Sequence, residues 1–229
     1  FPKGEGNILL NLGEGLTNES GATVRFVSDT EIEGSKLMGT FCYNAQAVFP
    51  IYFVMKIDKA PKEKGYWKKQ REMTAEAEWD SDAGKYKLYP KYTREMNGDD
   101  VGVWFKYDVE AEEQIQVKIG VSFVSIANAR ENLGKEQPGF AFDQTAQAAR
   151  EAWNKDLSRI TVEGGTKDEK TIFYTGLYHL LIHPNILQDV NGEYPKMESL
   201  EVGKTSENRY TVFSLWDTYR NVSSLMTLL

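Results

Sequence analysis

Apolar residues in the first half of the chain fall in short runs broken by Gly, Asn, Asp and Pro, the pattern of strands in a two-layer β structure. It predicts strands over Ile8 to Leu12, Ala22 to Val27, Val48 to Ile57, Lys85 to Tyr89 and Val101 to Tyr107. The most regular stretch is Gln114 to Phe123, where Ile115, Val117, Ile119, Val121 and Phe123 alternate with Gln116, Lys118, Gly120 and Ser122. A period of two puts successive side chains on opposite faces, so the apolar set is expected inward and the polar set in water. Residues 58–72 and 93–100, rich in Lys, Glu and Asp, read as solvated loops or turns, and Asn97-Gly98 is a hairpin-type dipeptide.

From about residue 130 the period lengthens. Asp143 is placed to cap a helix in which Ala146, Ala149, Trp153, Leu157 and Ile160 recur every three or four residues as one apolar stripe. Thr166-Lys167-Asp168-Glu169 has the form of a capping box, with the Thr hydroxyl and the Glu carboxylate each satisfying a backbone N–H of the first turn. The helix it opens carries Ile172, Phe173, Leu177, Leu180 and Leu181, and stops before Pro184, which disfavours helical geometry at His183. After a polar stretch from about 185 to 212, Ser214 is placed to cap a last helix with Leu215, Tyr219, Val222, Leu225 and Met226 as its stripe. Strands, then a linker, then helices imply two domains and not an alternating α/β sheet.

Composition narrows the partners. With 229 residues and 41% hydrophobic positions the chain has the material for a sizeable core. The formal net charge of −7 comes with scattered Lys and Arg, which argues against nucleic acid as a partner. No apolar run approaches membrane-spanning length, so no membrane span is expected. The chain opens at Phe1-Pro2-Lys3 and closes inside the apolar pattern Ser223 to Leu229, so it is expected to be an internal piece of something longer. The single cysteine, Cys42, lies in Thr40-Phe41-Cys42-Tyr43 and reads as a buried small hydrophobe. There is no phosphate-binding glycine loop, no Gly-x-Ser-x-Gly and no dinucleotide fingerprint, so nucleotide chemistry and serine hydrolysis find no support.

The densest chemistry is Phe213-Ser214-Leu215-Trp216-Asp217-Thr218-Tyr219-Arg220. On a helix, Asp217 and Arg220 share a face, and Trp216 sets a flat apolar surface beside a carboxylate. Such a pair suits a sugar: the indole covers the apolar face of a pyranose, and the carboxylate takes neighbouring hydroxyls. The plain alternative is a first-turn Asp in an ion pair with Arg220 and a core Trp216. His179 and His183 have the i, i+4 spacing of two zinc ligands, but the Glu of His-Glu-x-x-His and any further ligand are missing, so His183 is read as a donor to a ligand oxygen. Asp189-Val190-Asn191-Gly192 has calcium-loop composition without the spacing of the twelve-residue loop, and Trp79 to Gly84 is similar; both read as turns.

Several blocks, in order, resemble glycoside hydrolase family 92: Asp29 to Gly34, Gly39 to Cys42, Val48 to Lys56, Lys118 to Ser125, Ala129 to Leu133 and Ala152-Trp153-Asn154. Further on, Lys170 to His179 with His183-Pro184-Asn185, and Phe213 to Arg220, complete the set. The resemblance implies an α+β multidomain chain: a partial N-terminal antiparallel β-sandwich over 1–128, a helical linker over 129–162, and the first helices of an (α/α)6 barrel over 163–229. It implies that the parent protein removes terminal α-linked mannose, α-1,2 foremost, from glycans with inversion and with calcium as cofactor. It implies export to the outside of the cell or the periplasm of a bacterium. The general acid and base are expected downstream of this chain, so no catalytic residue is assigned here. Trp216 and Asp217, with Arg220 and His183 in support, are the residues expected at the sugar. Another (α/α)6 glycosidase or phosphorylase, or a noncatalytic carbohydrate-binding fragment, stays open as an alternative.

Overall fold

The computed structural model describes residues 1–13, 20–39, 48–70, 85–197, 199, 201–211 and 215–228. Cys42, Trp79 to Gly84 and the predicted cap Ser214 lie outside the described residues. The chain divides into two compact units, one of residues 1–140 with 189–202 and one of residues 141–188 with 203–229.

The first unit holds two antiparallel sheets. Its strands are β1 (Gly4–Asn11), β2 (Ser20–Phe26), β3 (Glu31–Met38), β4 (Phe49–Ile57), β5 (Glu63–Gln70), β6 (Lys85–Tyr89), β7 (Met96–Gly98), β8 (Val101–Val109) and β9 (Val117–Ser122). One sheet runs β1-β8-β5-β6 and the other β7-β2-β3-β4-β9. The long pairings are unbroken over β1 with β8 (Gly4 opposite Val109 through Asn11 opposite Gly102) and β3 with β4 (Glu31 opposite Lys56 through Met38 opposite Phe49). One contiguous core collects Val24, Ile32, Phe53, Met55, Tyr66, Val103, Phe105 and Tyr107 from strands of both sheets. Each large apolar side chain taken out of water there stabilises the unit by about 1.5–3 kcal/mol.

Two expectations fail here, for one reason. The charged stretch 58–72 contains β5, and the stretch 93–100 contains β7. Tyr66 and Trp67 of β5 are buried while their Lys neighbours reach water, and one apolar face is enough to hold a strand in a sheet whatever the other face carries. In β9 the phase is inverted: Val117, Ile119 and Val121 are 40%, 50% and 47% exposed, whereas Gly120 and Ser122 are buried. A helix, α1 (Ile126–Glu136), covers the side of the strand that looked polar. Gly120 is required by that approach, because a Cβ there would lie 2.5 Å from the Leu133 Cβ and 2.4 Å from the Ala129 carbonyl oxygen. Val54, Ala129 and Leu133 form a second, smaller apolar cluster beneath α1.

Charge fastens the same helix. Arg130 reaches both Glu31 and Glu33 of β3; Glu31 also pairs with Lys56 at 3.0 Å, and the Arg25 Nε donates to Glu33 at 2.7 Å. Burial alone would push the Glu31 carboxyl up, but the hydrogen bonds and charges of Arg130 and Lys56 outweigh it and hold it below the usual carboxylate range.

The second unit contains α2 (Phe142–Leu157) and α3 (Lys167–Leu181), then two short helices, α4 (Leu215–Thr218) and α5 (Val222–Leu228). Asp143 lies inside the first turn of α2; the capping position is Ala141, which makes no side-chain cap. The capping box of α3 forms as predicted: Glu169 N–H donates to the Thr166 hydroxyl at 3.2 Å, and Thr166 N–H donates to the Glu169 carboxylate at 2.7 Å. These bonds hold the Glu169 carboxyl below its ordinary range. The Trp153 and Tyr178 rings meet at 4.6 Å, and the Tyr174 hydroxyl donates to the Ile160 carbonyl at 3.3 Å.

Candidate functional site

The sugar-facing residues expected from sequence all belong to the second unit, on a frame the chain builds locally. Helix α3 ends at Leu181, with Ile182 capping it, so His183 lies beyond the helix and does not share a helical face with His179. The zinc-like spacing therefore has no geometric counterpart. The His183–Pro184 peptide is cis, and the His183 ring lies 3.5 Å from the Asn185 amide.

Beyond Pro184 the chain forms a narrow antiparallel ribbon with residues 208–211. Thr211 N–H donates to the Asn185 carbonyl at 2.8 Å, and Asn185 N–H donates to the Thr211 hydroxyl at 3.0 Å. Ile186 bridges Tyr210, Leu187 N–H donates to the Arg209 carbonyl at 2.7 Å, and Arg209 N–H donates to the Gln188 side-chain oxygen at 2.7 Å. The ribbon thus ties the His183-Pro184-Asn185 corner to residues 208–211.

The helix expected from Ser214 to beyond Met226 is two helices. Leu215–Thr218 and Val222–Leu228 are separated by a turn at Tyr219, Arg220 and Asn221. Arg220 is therefore off the helix that carries Asp217, and the two form no ion pair. The Arg220 Nε donates to the Tyr219 hydroxyl at 2.6 Å instead, with its guanidinium over that ring. Trp216 is 80% exposed, and Asp217 is exposed too. Of the plain alternative, Asp217 keeps its place in the first turn of α4, while the ion pair with Arg220 is not formed and Trp216 is exposed. The exposed indole and carboxylate thus stand on adjacent residues, and among the described residues Asp217 forms no ion pair. A separate shallow groove along α3, lined by Lys167, Lys170, Thr171, Tyr174 and Tyr178, includes none of the four predicted residues.

Sequence reading missed a second polar constellation, in the first unit. Asp189 is 7% exposed, and its carboxylate accepts from the Ser122 hydroxyl at 2.7 Å, the Asn128 amide at 2.8 Å and the Asn132 amide at 2.7 Å. Asn128 also donates to Glu193 at 2.9 Å, and Val190 N–H donates to the Asn132 side-chain oxygen at 2.9 Å. The turn predicted at Asp189-Val190-Asn191-Gly192 does form. Gly192, at φ 85°, sends its N–H to the Asp189 carbonyl at 2.8 Å, and the left-handed geometry suits a residue without Cβ. The calcium-like composition is spent on hydrogen bonds within the protein. Among the described residues no three His, Cys, Asp or Glu side chains gather where they would hold a metal ion. The signal available in sequence was the pair Asn128 and Asn132, one helical turn apart on α1.

Residues 1–122 match the glycosyl hydrolase family 92 N-terminal domain and residues 128–229 the glycosyl hydrolase family 92 catalytic domain. The chain belongs to glycosyl hydrolase family 92. It is similar to the family GH92 alpha-mannosidase of Bacteroides thetaiotaomicron, with 25% identity and a TM-score of 0.79, over 99% of this chain and 29% of that one. The same mannosidase in complex with mannoimidazole aligns with a TM-score of 0.78 at 25% identity, over 99% of this chain and 28% of that one. An uncharacterized secreted glycosidase of Arthroderma benhamiae is 30% identical over 122 residues, which is 51% of this chain and 15% of that protein. The chain therefore spans less than a third of the length of these relatives.

Proposed function

We propose that this chain is the sandwich and the leading helices of a glycoside hydrolase that releases terminal α-linked mannose from glycans, with Trp216 and Asp217 holding the terminal sugar. The observation that carries the reading is the uncovered Trp216-Asp217 pair on a chain that aligns along 99% of its length with an alpha-mannosidase. The indole stacks on the apolar face of the pyranose and removes that face from water. The Asp217 carboxylate accepts from two adjacent ring hydroxyls and so fixes the sugar's rotation about the stacking axis. Arg220 and His183, one on each side of this pair in sequence, supply further donors.

In this reading the reaction inverts the anomeric carbon: one carboxylic acid protonates the departing oxygen while a second carboxylate, set apart by the width of a water, takes a proton from the attacking water. Both groups belong to the part of the protein outside this chain, as do the ligands of the calcium ion that the family resemblance implies. Cleavage of α-1,2 linkages, secretion and a bacterial source are part of the same proposal. The secreted relative supports export, and no helix among the described residues is long and apolar enough to cross a membrane.

The test is mannose release from α-1,2-, α-1,3- and α-1,6-mannobiose by a full-length protein containing this chain, with and without a chelator and with and without added phosphate. Release of β-mannose that needs calcium and ignores phosphate is the expected result. Release of mannose 1-phosphate identifies a phosphorylase, and binding without release identifies a carbohydrate-binding protein; either outcome overturns the reading.

A further inference from the structure

Within the first unit, the outer side of the sheet β1-β8-β5-β6 carries an aromatic stripe. The inner side of this sheet supplies Val103, Phe105, Tyr107 and Tyr66 to the core, so strand alternation turns Leu9, Trp104, Trp67, Leu88 and Tyr86 outward. The registers line them up: Leu9 lies opposite Trp104, Trp104 opposite Gly65, Trp67 opposite both Gly102 and Leu88, and Lys69 opposite Tyr86. Each indole lies across the other's strand. A Cβ on Gly65 would meet Trp104 ring atoms at 2.9 Å, and a Cβ on Gly102 would meet the Trp67 Nε1 at 2.6 Å, so each ring rests on a glycine and a side chain there would lift it off the sheet. Trp67 donates its ring N–H to the Leu10 carbonyl at 3.1 Å, and Trp104 donates to the Tyr66 carbonyl at 3.3 Å, which pins both rings down. Tyr86 meets Trp67 edge-on at 5.5 Å. Leu9, Leu88 and Tyr86 are 64%, 60% and 61% exposed, with Trp104 partly exposed among them.

We propose that this stripe binds an uncharged polysaccharide chain. Clustered apolar side chains turned to water mark a contact surface, and charge decides which kind. The stripe itself holds no charged side chain, and the charges at the head of the same side are spent on each other, Lys106 on Glu5 at 2.7 Å and Lys62 on Asp108 at 2.8 Å. A phosphate backbone or an anionic lipid surface needs a cluster of unspent Lys or Arg, which these paired lysines do not provide. A second protein would call for an apolar patch extended in both directions, but on β1 the exposed Asn7 and Asn11 flank Leu9 on the same side of the strand. A neutral sugar chain meets the terms of the surface. The C–H faces of its pyranoses cover the rings, while its hydroxyls stay in water or reach Asn11 and the Tyr86 hydroxyl at the margin. Rings already pinned lose little freedom on binding, so more of the contact energy is kept. The choice of an α-mannan as the first probe rests on the mannoside reading above.

The experiment follows the full-length protein by affinity electrophoresis through gels containing soluble α-mannan or a neutral β-glucan, beside its Trp104→Ala, Trp104→Phe and Tyr86→Ala variants. The parent is expected to be retarded by α-mannan. Trp104→Ala should weaken the Kd read from the retardation by about tenfold and Tyr86→Ala by about threefold, with Trp104→Phe recovering most of the loss. The kcat/KM on a mannobiose should stay within a factor of about two in all three, since a short substrate does not need the stripe. Tyr86→Ala, at an exposed position, keeps the test decisive if Trp104→Ala folds poorly. No retardation of the parent in either gel overturns the proposal, as does retardation that neither alanine variant changes. A dimer of the parent that both variants dissolve assigns the stripe to a second copy of the chain and overturns it too. Retardation that depends on the stripe in a parent that releases no mannose supports the proposal while the mannoside reading fails.

Discussion

The sandwich and the helical unit carry comparable amphipathic patterns, yet they dispose of their apolar residues in opposite ways. In the first, Tyr66, Tyr107, Phe105, Ile32 and several valines are sealed completely, and α1 closes a second cluster over the five-stranded sheet. In the second, Leu177 and Leu225 are the buried large apolar residues among those described, while Ile172, Leu215 and Trp216 stand 72%, 79% and 80% exposed. The first unit draws its stability from burial. The second holds its form through local devices: a capping box, a few aromatic ring contacts and the narrow ribbon of residues 185–188 with 208–211. A helix with an uncovered stripe has its binding energy still to spend, whether on further protein or on a ligand.

The sharpest way to break this comparison is a matched pair of truncations. Phe105→Ala empties the sandwich core and should lower stability by about 3–5 kcal/mol, whereas Ile172→Ala on α3 should change it by less than about 0.5 kcal/mol. Chemical denaturation of the two variants checks both values, and comparable losses would show that the helical stripe is covered after all.

Acid should loosen α1 next. A carboxyl more acidic in the folded than in the unfolded protein adds stability above its unfolded pKa. The contribution of Glu31 is therefore complete at neutral pH and is lost as pH falls from the ordinary value of 4.5 through the lower folded one. Hydrogen exchange of the α1 amides should accelerate over that window, and Glu31→Gln should flatten the dependence.

A smaller effect is expected at the α3 cap, where Thr166→Ala should cost the helix about 1 kcal/mol, visible as fraying of its first turn in hydrogen exchange. The smallest belongs to Tyr107, whose hydroxyl is buried and has no partner among the described residues; burial, helped by the charge of Asp58, pushes its pKa up to about 12. Removing an orphaned hydroxyl relieves a desolvation cost, so Tyr107→Phe should leave the melting temperature unchanged or raise it slightly, by no more than about 1 kcal/mol in stability.

Much of the fold was legible from pattern. Strands β1, β2, β4, β6 and β8 and helices α2 and α3 announce themselves through periodicity; in β2 and β8 the apolar set is also the buried set, whereas α2 has no buried residue and α3 buries Leu177 alone. Strands β3 and β5 and the facing of β9 were not legible, for a physical reason. Glu33 and Lys36 on β3 are buried polar residues, with Arg130 of α1 arriving from far along the chain to pair with Glu33, and β9 turns its Gly and Ser toward a helix that local sequence does not reveal. Of the site, the Trp216-Asp217 pair was readable as sugar chemistry. The Asp189 clasp was not, since its donors come from residues 57 to 67 positions away.

The central claim is that Asp217 holds the terminal sugar in a mannoside-cleaving family 92 enzyme. It is tested most directly by the kcat/KM of full-length Asp217→Ala on α-1,2-mannobiose. Asp217 is exposed and forms no ion pair with Arg220, so the account predicts a loss of about a hundredfold or more with an unchanged melting temperature. A kcat/KM within a factor of about two of the parent would contradict it.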